Sequence, residues 1–215
     1  MAPRKMPPDL YEFERTAYAM NDFAWICGAD EAGRGPLAGP VFAAAVILPR
    51  NAEIEGLNDS KKLSEKKREL LYDTIVEKAV AYQICMVDEK EIDRINILAA
   101  SMLAMKKAVE GLCVCPDVAY IDGNRVPNLK IPAIPVVKGD AVSASIAAAS
   151  ILAKVSRDRF MLELDRQYPQ YGFARHKGYP TKEHYERIGR YGISPVHRIS
   201  FLKNLDDHLK GEKNL

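Results

Sequence analysis

WICGADEAGRGPLAGPVFAAAVIL, residues 25–48, decides how this chain folds. Its ends, 25–30 and 40–48, are apolar runs of strand character. Its middle, EAGRGPLAG, holds three glycines and a proline, which makes a tight and unusual connection. Two strands joined this closely are antiparallel neighbours, because a parallel return needs a long crossover.

Outward from this stretch the pattern changes period. Ser64 followed by EKKRELLYDTIVEKAV predicts a helix with Ser64 as its N-cap. Residues 81–87 read as a third strand, 88–112 as a long helix broken near Asn96, and 118–122 as a fourth strand. Residues 131–137 are short, proline-spaced and extended, a fifth strand at a sheet edge. Residues 142–168 predict a long helix whose first half, SASIAAASILA, is small and apolar enough to pack closely on a sheet. The order β-β-α-β-α-β-β-α defines an α/β fold, a mixed five-stranded sheet flanked by helices, with a small C-terminal helical part. Three parts follow: a Pro-rich arm with a short helix (1–24), a catalytic domain (25–168) and a helical substrate-binding subdomain (169–215).

The 215 residues are 47% hydrophobic and 28% charged, the make-up of a globular enzyme and not of a disordered chain. A net charge of +2 excludes a uniformly basic partner-coater. The charge is unevenly placed. Residues 168–215 carry nine Lys/Arg against five acids, a net of +4, and all four histidines; residues 1–167 are left with −2. No apolar run approaches the ~20 residues of a membrane-spanning helix, and no apolar region follows Arg4 and Lys5 as in a signal peptide. Cys27, Cys85, Cys113 and Cys115 form no CxxC pair and no zinc pattern, so they read as small buried thiols of a cytoplasmic protein.

Acids sit where strands end. Asp30 and Glu31 close the first strand, beside the glycine-rich turn. Strand alternation sends their side chains to opposite faces, so serving one site requires a twist or bulge that Gly33 and Gly35 would permit. Taken alone, the pair reads as a solvated acidic turn. Asp122 closes the fourth strand. Asp140 precedes the long helix and by position alone is its N-cap. Asp158 lies 18 residues further on, five turns, so it shares a face with Asp140 or is a surface partner of Arg157 or Arg159. Together the acids can converge at one end of the sheet. A cluster without histidine or thiol favours hard cations, Mg²⁺ or Mn²⁺, and paired ions of that kind suit attack on a phosphodiester. Competing sites fail: GADEAGRG lacks the Lys-Ser/Thr of a phosphate loop, GRGPLAG is not GxGxxG, and no GxSxG elbow exists.

Six stretches, CGADEAGRGPLAGPVFAAAVIL, NDSKKLS, YIDGN, KGDAVSASIAAASILAKVSRD, HKGYPT and HRISF, closely resemble bacterial ribonuclease HII from about residue 25 to about 202. The neighbouring ribonuclease HIII type differs at the position of Arg34 and carries an extra N-terminal domain, for which the 24 residues before Trp25 are too few.

The resemblance implies an RNase H-like fold and endonucleolytic cleavage of RNA in RNA–DNA hybrids. It includes incision 5′ of single ribonucleotides in duplex DNA, leaving 5′-phosphate and 3′-hydroxyl. It implies metal-binding acids at Asp30, Glu31 and Asp122, a fourth acid at Asp140, and a further acid of some members at Asp158. Two metal ions, Mn²⁺ or Mg²⁺, would activate water and stabilise the leaving oxygen. Gly33-Arg34-Gly35 would read a 2′-hydroxyl through closely approaching backbone, and Tyr179 would pack on the deoxyribose that follows. Lys61 first, then Lys62, Arg175, Lys177, His197 and Arg198, are candidates for phosphate contacts. The partners are then RNA–DNA hybrid and ribonucleotide-containing duplex DNA, met by a monomer in the cytoplasm. A resolvase- or transposase-like nuclease of the same fold and a hybrid-binding module without catalysis are the alternatives.

Overall fold

The computed structural model describes residues 9–51 and 53–205. The Pro-rich start of the arm and the last ten residues of the predicted C-terminal subdomain lie outside them. Five strands form one sheet: β1 Ile26–Ala32, β2 Val41–Ile47, β3 Ala81–Val87, β4 Val118–Asp122 and β5 Ala133–Val136. Their order is β3-β2-β1-β4-β5. β1–β2 and β2–β3 are antiparallel, β1–β4 and β4–β5 parallel. The sheet is mixed, as the sequence predicts, and β5 is an edge.

Seven helices complete the chain among the described residues: α1 Glu12–Met20, α2 Glu65–Lys78, α3 Glu89–Ile95, α4 Ile97–Glu110, α5 Ala144–Gln167, α6 Phe173–His176 and α7 Lys182–Tyr191. The break at Asn96 is real: its φ is +68°, and its side chain caps α4 by accepting from Ala99 N at 3.1 Å. Ser64 caps α2, accepting from Lys67 N. Asp140, in contrast, does not cap the long helix. Ser143 does, accepting from Ile146 N, while Asp140 occupies a separate 3-10 turn, Gly139–Ala141. A second cap arrives from α1. Glu14 is buried, and its Oε1 accepts from Ser143 Oγ (2.6 Å) and Ser145 N (2.9 Å). A carboxylate at a helix N-terminus suits both the free N–H groups and the helix dipole.

α5 fixes the site. Its small first half, from Ala144 to Ala153, lies fully buried on the sheet with the α2 side of the core around it. The approach is so close that a Cβ on Gly28 of β1 would meet Ile146 N and Ser145 C at 2.3 Å. α4 covers the other face. Of the cysteines only Cys27 is buried; Cys85 is half-buried, and Cys113 and Cys115 are exposed, so the expectation of four buried thiols holds for one. No helix among the described residues is long and apolar enough to cross a membrane.

Candidate active site

β1 and β4 run parallel with Ala29 beside Ile121. One residue further, Asp30 near the end of β1 and Asp122 at the end of β4 therefore lie side by side at the same end of the sheet. β5 pairs Asp122 with Val136 and leads into the Gly139–Ala141 turn, which brings Asp140 to that end as well. Asp122 Oδ1 accepts from Gly139 N at 2.7 Å, tying the two segments together.

The bulge expected after Asp30 does not occur. β1 keeps a regular register with β2 through Glu31↔Ala43 and Ala32↔Phe42. Asp30 faces α5, where the Ser150 hydroxyl reaches it, and Glu31 turns the other way. Both still serve one cavity, because the strand stops at the rim of the sheet and the cavity wraps around its end. That cavity, of about 290 Å³, is lined by Asp30, Glu31, Asp122, Gly33-Arg34-Gly35, Lys61 and Tyr179. Glu31 and Asp122 also line an adjoining groove with Arg34, Gly123, Asn124 and Arg125.

The acids are mutually uncomfortable. Burial, then Glu31 and Asp122, push the Asp30 carboxyl well above the usual carboxylate range. Burial raises Glu31, opposed by the Arg34 guanidinium 3.2 Å away. Burial, then Asp140, raise Asp122. Asp140 is itself buried and holds Lys61 Nζ at 3.0 Å, and that ion pair raises the lysine. Among the described residues no three His, Cys, Asp or Glu side chains close into a ready metal cage. The reason is visible: like charges spread around the rim, and Lys61 and Arg34 stand on two of them. The donor set of these acids is oxygen only and largely buried, which fits a hard divalent cation.

Other predicted site residues fare differently. Tyr179 is 40% exposed and faces Gly35, whose Cβ would stand 3.7 Å from the ring. Asp158 is buried and bonds Lys154 at 2.7 Å, not Arg157 or Arg159, and does not line the cavity. Lys62 pairs with Asp59 at 3.7 Å. The Arg175 guanidinium is taken by Glu183, and Lys177 Nζ by the Ala174 carbonyl at 2.7 Å.

His197 and Arg198 cannot touch phosphate as expected, because both are buried. Arg198 donates to the carbonyls of Gly33, Arg34 and Gly39. His197 belongs to a buried trio. Its Nε2 meets His184 Nε2 at 3.1 Å, and the His184 ring stacks on His176 with centroids 4.4 Å apart. His184 Nδ1 reaches the Tyr179 carbonyl at 3.0 Å, so the trio holds the loop that carries Tyr179. Burial lowers His184 to about 3 and His197 to about 4.

Sequence reasoning missed Ser150 and Lys154, which line the cavity from α5, and Ser60, whose Oγ meets Ser150 Oγ at 2.8 Å. The four-residue spacing of Ser150, Lys154 and Asp158 was the available signal, one helix face aimed at Asp30. Arg157 was missed too. It is wholly buried, donates to the carbonyls of Ala38 and Pro40, and lies under Gly33, whose φ of +98° and missing Cβ allow the contact.

A mixed sheet with three acids at one cavity, beside a glycine loop and flanking cations, points to a metal-dependent hydrolase of phosphodiesters with the RNase H type of fold. The comparisons narrow this. The family model "Ribonuclease HII" matches residues 27–204. A ribonuclease HII of Acetivibrio thermocellus is 58% identical over 192 residues, 89% of this chain and 75% of that one. The crystal structure of ribonuclease H2 from Pyrococcus horikoshii OT3 superposes with a TM-score of 0.71 at 29% identity, covering 89% of this chain and all of that one. A structure of Bst-RNase HIII in complex with Mn²⁺ shares the fold, with a TM-score of 0.64 at 20% identity over 89% of this chain and 71% of that one. The chain belongs to the ribonuclease HII family, and is an endonuclease that requires metal.

Proposed function

We propose that this enzyme hydrolyses the RNA strand of RNA–DNA hybrids and incises 5′ of single ribonucleotides in duplex DNA. One observation carries the reading: the acids Asp30, Glu31 and Asp122 share a single cavity with the Gly33-Arg34-Gly35 backbone and the Tyr179 ring. A group that can cut is thus adjoined by a group that can recognise ribose and a flat face that suits deoxyribose.

Asp30, Glu31, Asp122 and Asp140 would hold two divalent ions, Mg²⁺ or Mn²⁺. When bound, the ions supply activation of water and stabilisation of the leaving oxygen. Asp30 Oδ1 accepts from Glu31 N and Asp122 Oδ1 from Gly139 N, each at 2.7 Å, so each presents its remaining oxygen lone pairs to the cavity. Lys61, bonded to Asp140 but 78% exposed at its side chain, is free to move onto a phosphate when the duplex arrives. The backbone of Gly33-Arg34-Gly35 meets the 2′-hydroxyl. Tyr179 packs on the next sugar, where a 2′-oxygen would clash. Products carry 5′-phosphate and 3′-hydroxyl. Every group in this machinery comes from one chain, and the enzyme works as a monomer, in the cytoplasm where the chromosome lies.

A cleavage assay on three duplexes of one sequence tests the proposal: all-DNA, one embedded ribonucleotide, and continuous RNA–DNA hybrid, each with Mg²⁺, Mn²⁺ or chelator. Metal-dependent cutting of the last two, with a single cut 5′ of the lone ribonucleotide, is expected. Cutting of the all-DNA duplex, or turnover in chelator, would overturn it.

A further inference from the structure

Arg198 is a fully buried cation with no carboxylate in contact among the described residues. Burial lowers it to about 9, so it keeps its charge at neutral pH. Its Nη2 donates to Gly33 O at 2.7 Å, Nη1 to Arg34 O at 3.0 Å, and Nε to Gly39 O at 2.9 Å. Its own N–H donates to Leu37 O at 2.8 Å. One residue from the far end of the chain therefore grips four carbonyls of the glycine loop.

We propose that Arg198 is a positioning residue for ribose recognition: it fixes two peptide planes so that the N–H groups of Arg34 and Gly35 point into the cavity. The inference rests on the reading above that this loop meets the 2′-hydroxyl. The chain has no cis peptide among its described residues. In a planar trans peptide the C=O of one residue and the N–H of the next point in opposite directions. With the Gly33 and Arg34 carbonyls drawn down onto the guanidinium, the N–H groups of Arg34 and Gly35 are turned away from it. Both residues line the cavity, and neither N–H donates to a protein acceptor among the described residues. They are two adjacent donors facing an acceptor that only a ligand can supply.

The guanidinium does more than orient. A cation on a peptide carbonyl polarises that amide and strengthens its N–H as a donor. The fork geometry is what spans two successive carbonyls; lysine, a point charge, cannot do so. Arg157, lying against Gly33 and donating to the carbonyls of Ala38 and Pro40, braces the same loop.

The test is duplex binding in chelator, where no cutting occurs. Fluorescence anisotropy gives the affinity ratio between a duplex with one ribonucleotide and the all-DNA duplex of the same sequence. In the wild type two added hydrogen bonds favour the ribonucleotide by about tenfold. Arg198→Lys is expected to bring the ratio close to one while affinity for all-DNA is kept, and in metal to raise KM on the ribonucleotide duplex by a similar factor. If the wild type shows no ribonucleotide preference, the reading of the loop itself fails. If the wild type shows it and Arg198→Lys, melting like the wild type, keeps it, the role of Arg198 fails. Should Arg198→Lys melt early, the amide resonances of Arg34 and Gly35, compared between wild type and variant below the variant's melting point, decide. Both shift selectively with the ribonucleotide duplex in the wild type and not in the variant if the inference holds; wild-type-like shifts in the variant contradict it.

Discussion

The acidic sheet end and the basic C-terminal part stand out equally in the sequence, yet the fold treats them in opposite ways. The acids Asp30, Glu31 and Asp122 stay crowded at a cavity, where burial and neighbouring carboxylates oppose their charge. In the tail, Arg198 and the three described histidines are turned inward, Arg198 onto loop carbonyls and His176, His184 and His197 into a buried trio, while Arg175, Lys182, Arg190 and Lys203 stay exposed. One region keeps its charge strained for chemistry. The other uses its polar groups as internal scaffolding for the loops at residues 33–39 and 178–179. A charge excess in sequence thus separates into function and framework only when the partners are known.

The largest effect should fall on the acids. Asp30→Asn is expected to cut the cleavage rate about a thousandfold, several kcal/mol of barrier, measured on the single-ribonucleotide duplex in Mg²⁺. Near-normal turnover would remove Asp30 from the site.

The framework reports through stability. His184 and His197 are held below the ordinary histidine value, so the unfolded chain takes up protons first as pH falls. Their contribution is intact above about pH 6.5 and is lost on acidification, at up to about 1.4 kcal/mol per pH unit for each ring, roughly 2 kcal/mol each by pH 5. Glu183, Arg175 and Arg187 also act on His176 but are engaged with one another. The acids oppose the trend, since their raised values favour the folded state as pH falls. Urea unfolding at pH 7.5 and 5.5, compared between wild type and His197→Asn, isolates the histidines: the variant should show the shallower loss. Equal slopes would mean the trio titrates normally.

Tyr179, proposed above to pack on deoxyribose, joins the two regions: it lines the cavity, and its carbonyl is held by His184. Tyr179→Ala should lose ~1–3 kcal/mol, roughly ten- to a hundredfold, on the single-ribonucleotide duplex. On continuous hybrid, where no deoxyribose follows the cut, the loss should be smaller. Equal losses on both would make the ring structural. The smallest effect separates the surface cations. Lys61→Ala should weaken duplex binding and lower its salt dependence, while Arg175→Ala, whose group is already held by Glu183, should change both by less than about threefold.

Much of this was legible from local pattern. Strand limits at 81–87 and 118–122, the break at Asn96 and the cap at Ser64 follow from residues within a turn of each feature, as does the placing of acids at strand ends. What stayed hidden depends on distant partners. Asp140 and Ser143 both suit an N-cap, and only the turn at Gly139 decides between them. Arg198 and His197 read as surface groups because such residues are seldom buried. Their partners at Gly33, Gly39 and His184 are set by how the tail folds back over the loop. The missing bulge after Asp30 was hidden for another reason: strand alternation says which face a side chain takes, not that a cavity can wrap around the rim.

The central claim is that the sheet end is built to hold a divalent cation and is strained without one. Thermal melting of the wild type and of the Asp30→Asn/Asp122→Asn variant, each in chelator and in Mn²⁺, tests it directly. Binding to the folded state alone raises stability by mass action. Without metal the variant should melt at or above the wild type, since two repelling charges are gone; Mn²⁺ should then raise the wild type and leave the variant unmoved. A variant that melts lower in chelator, or gains from Mn²⁺ as the wild type does, would contradict the claim.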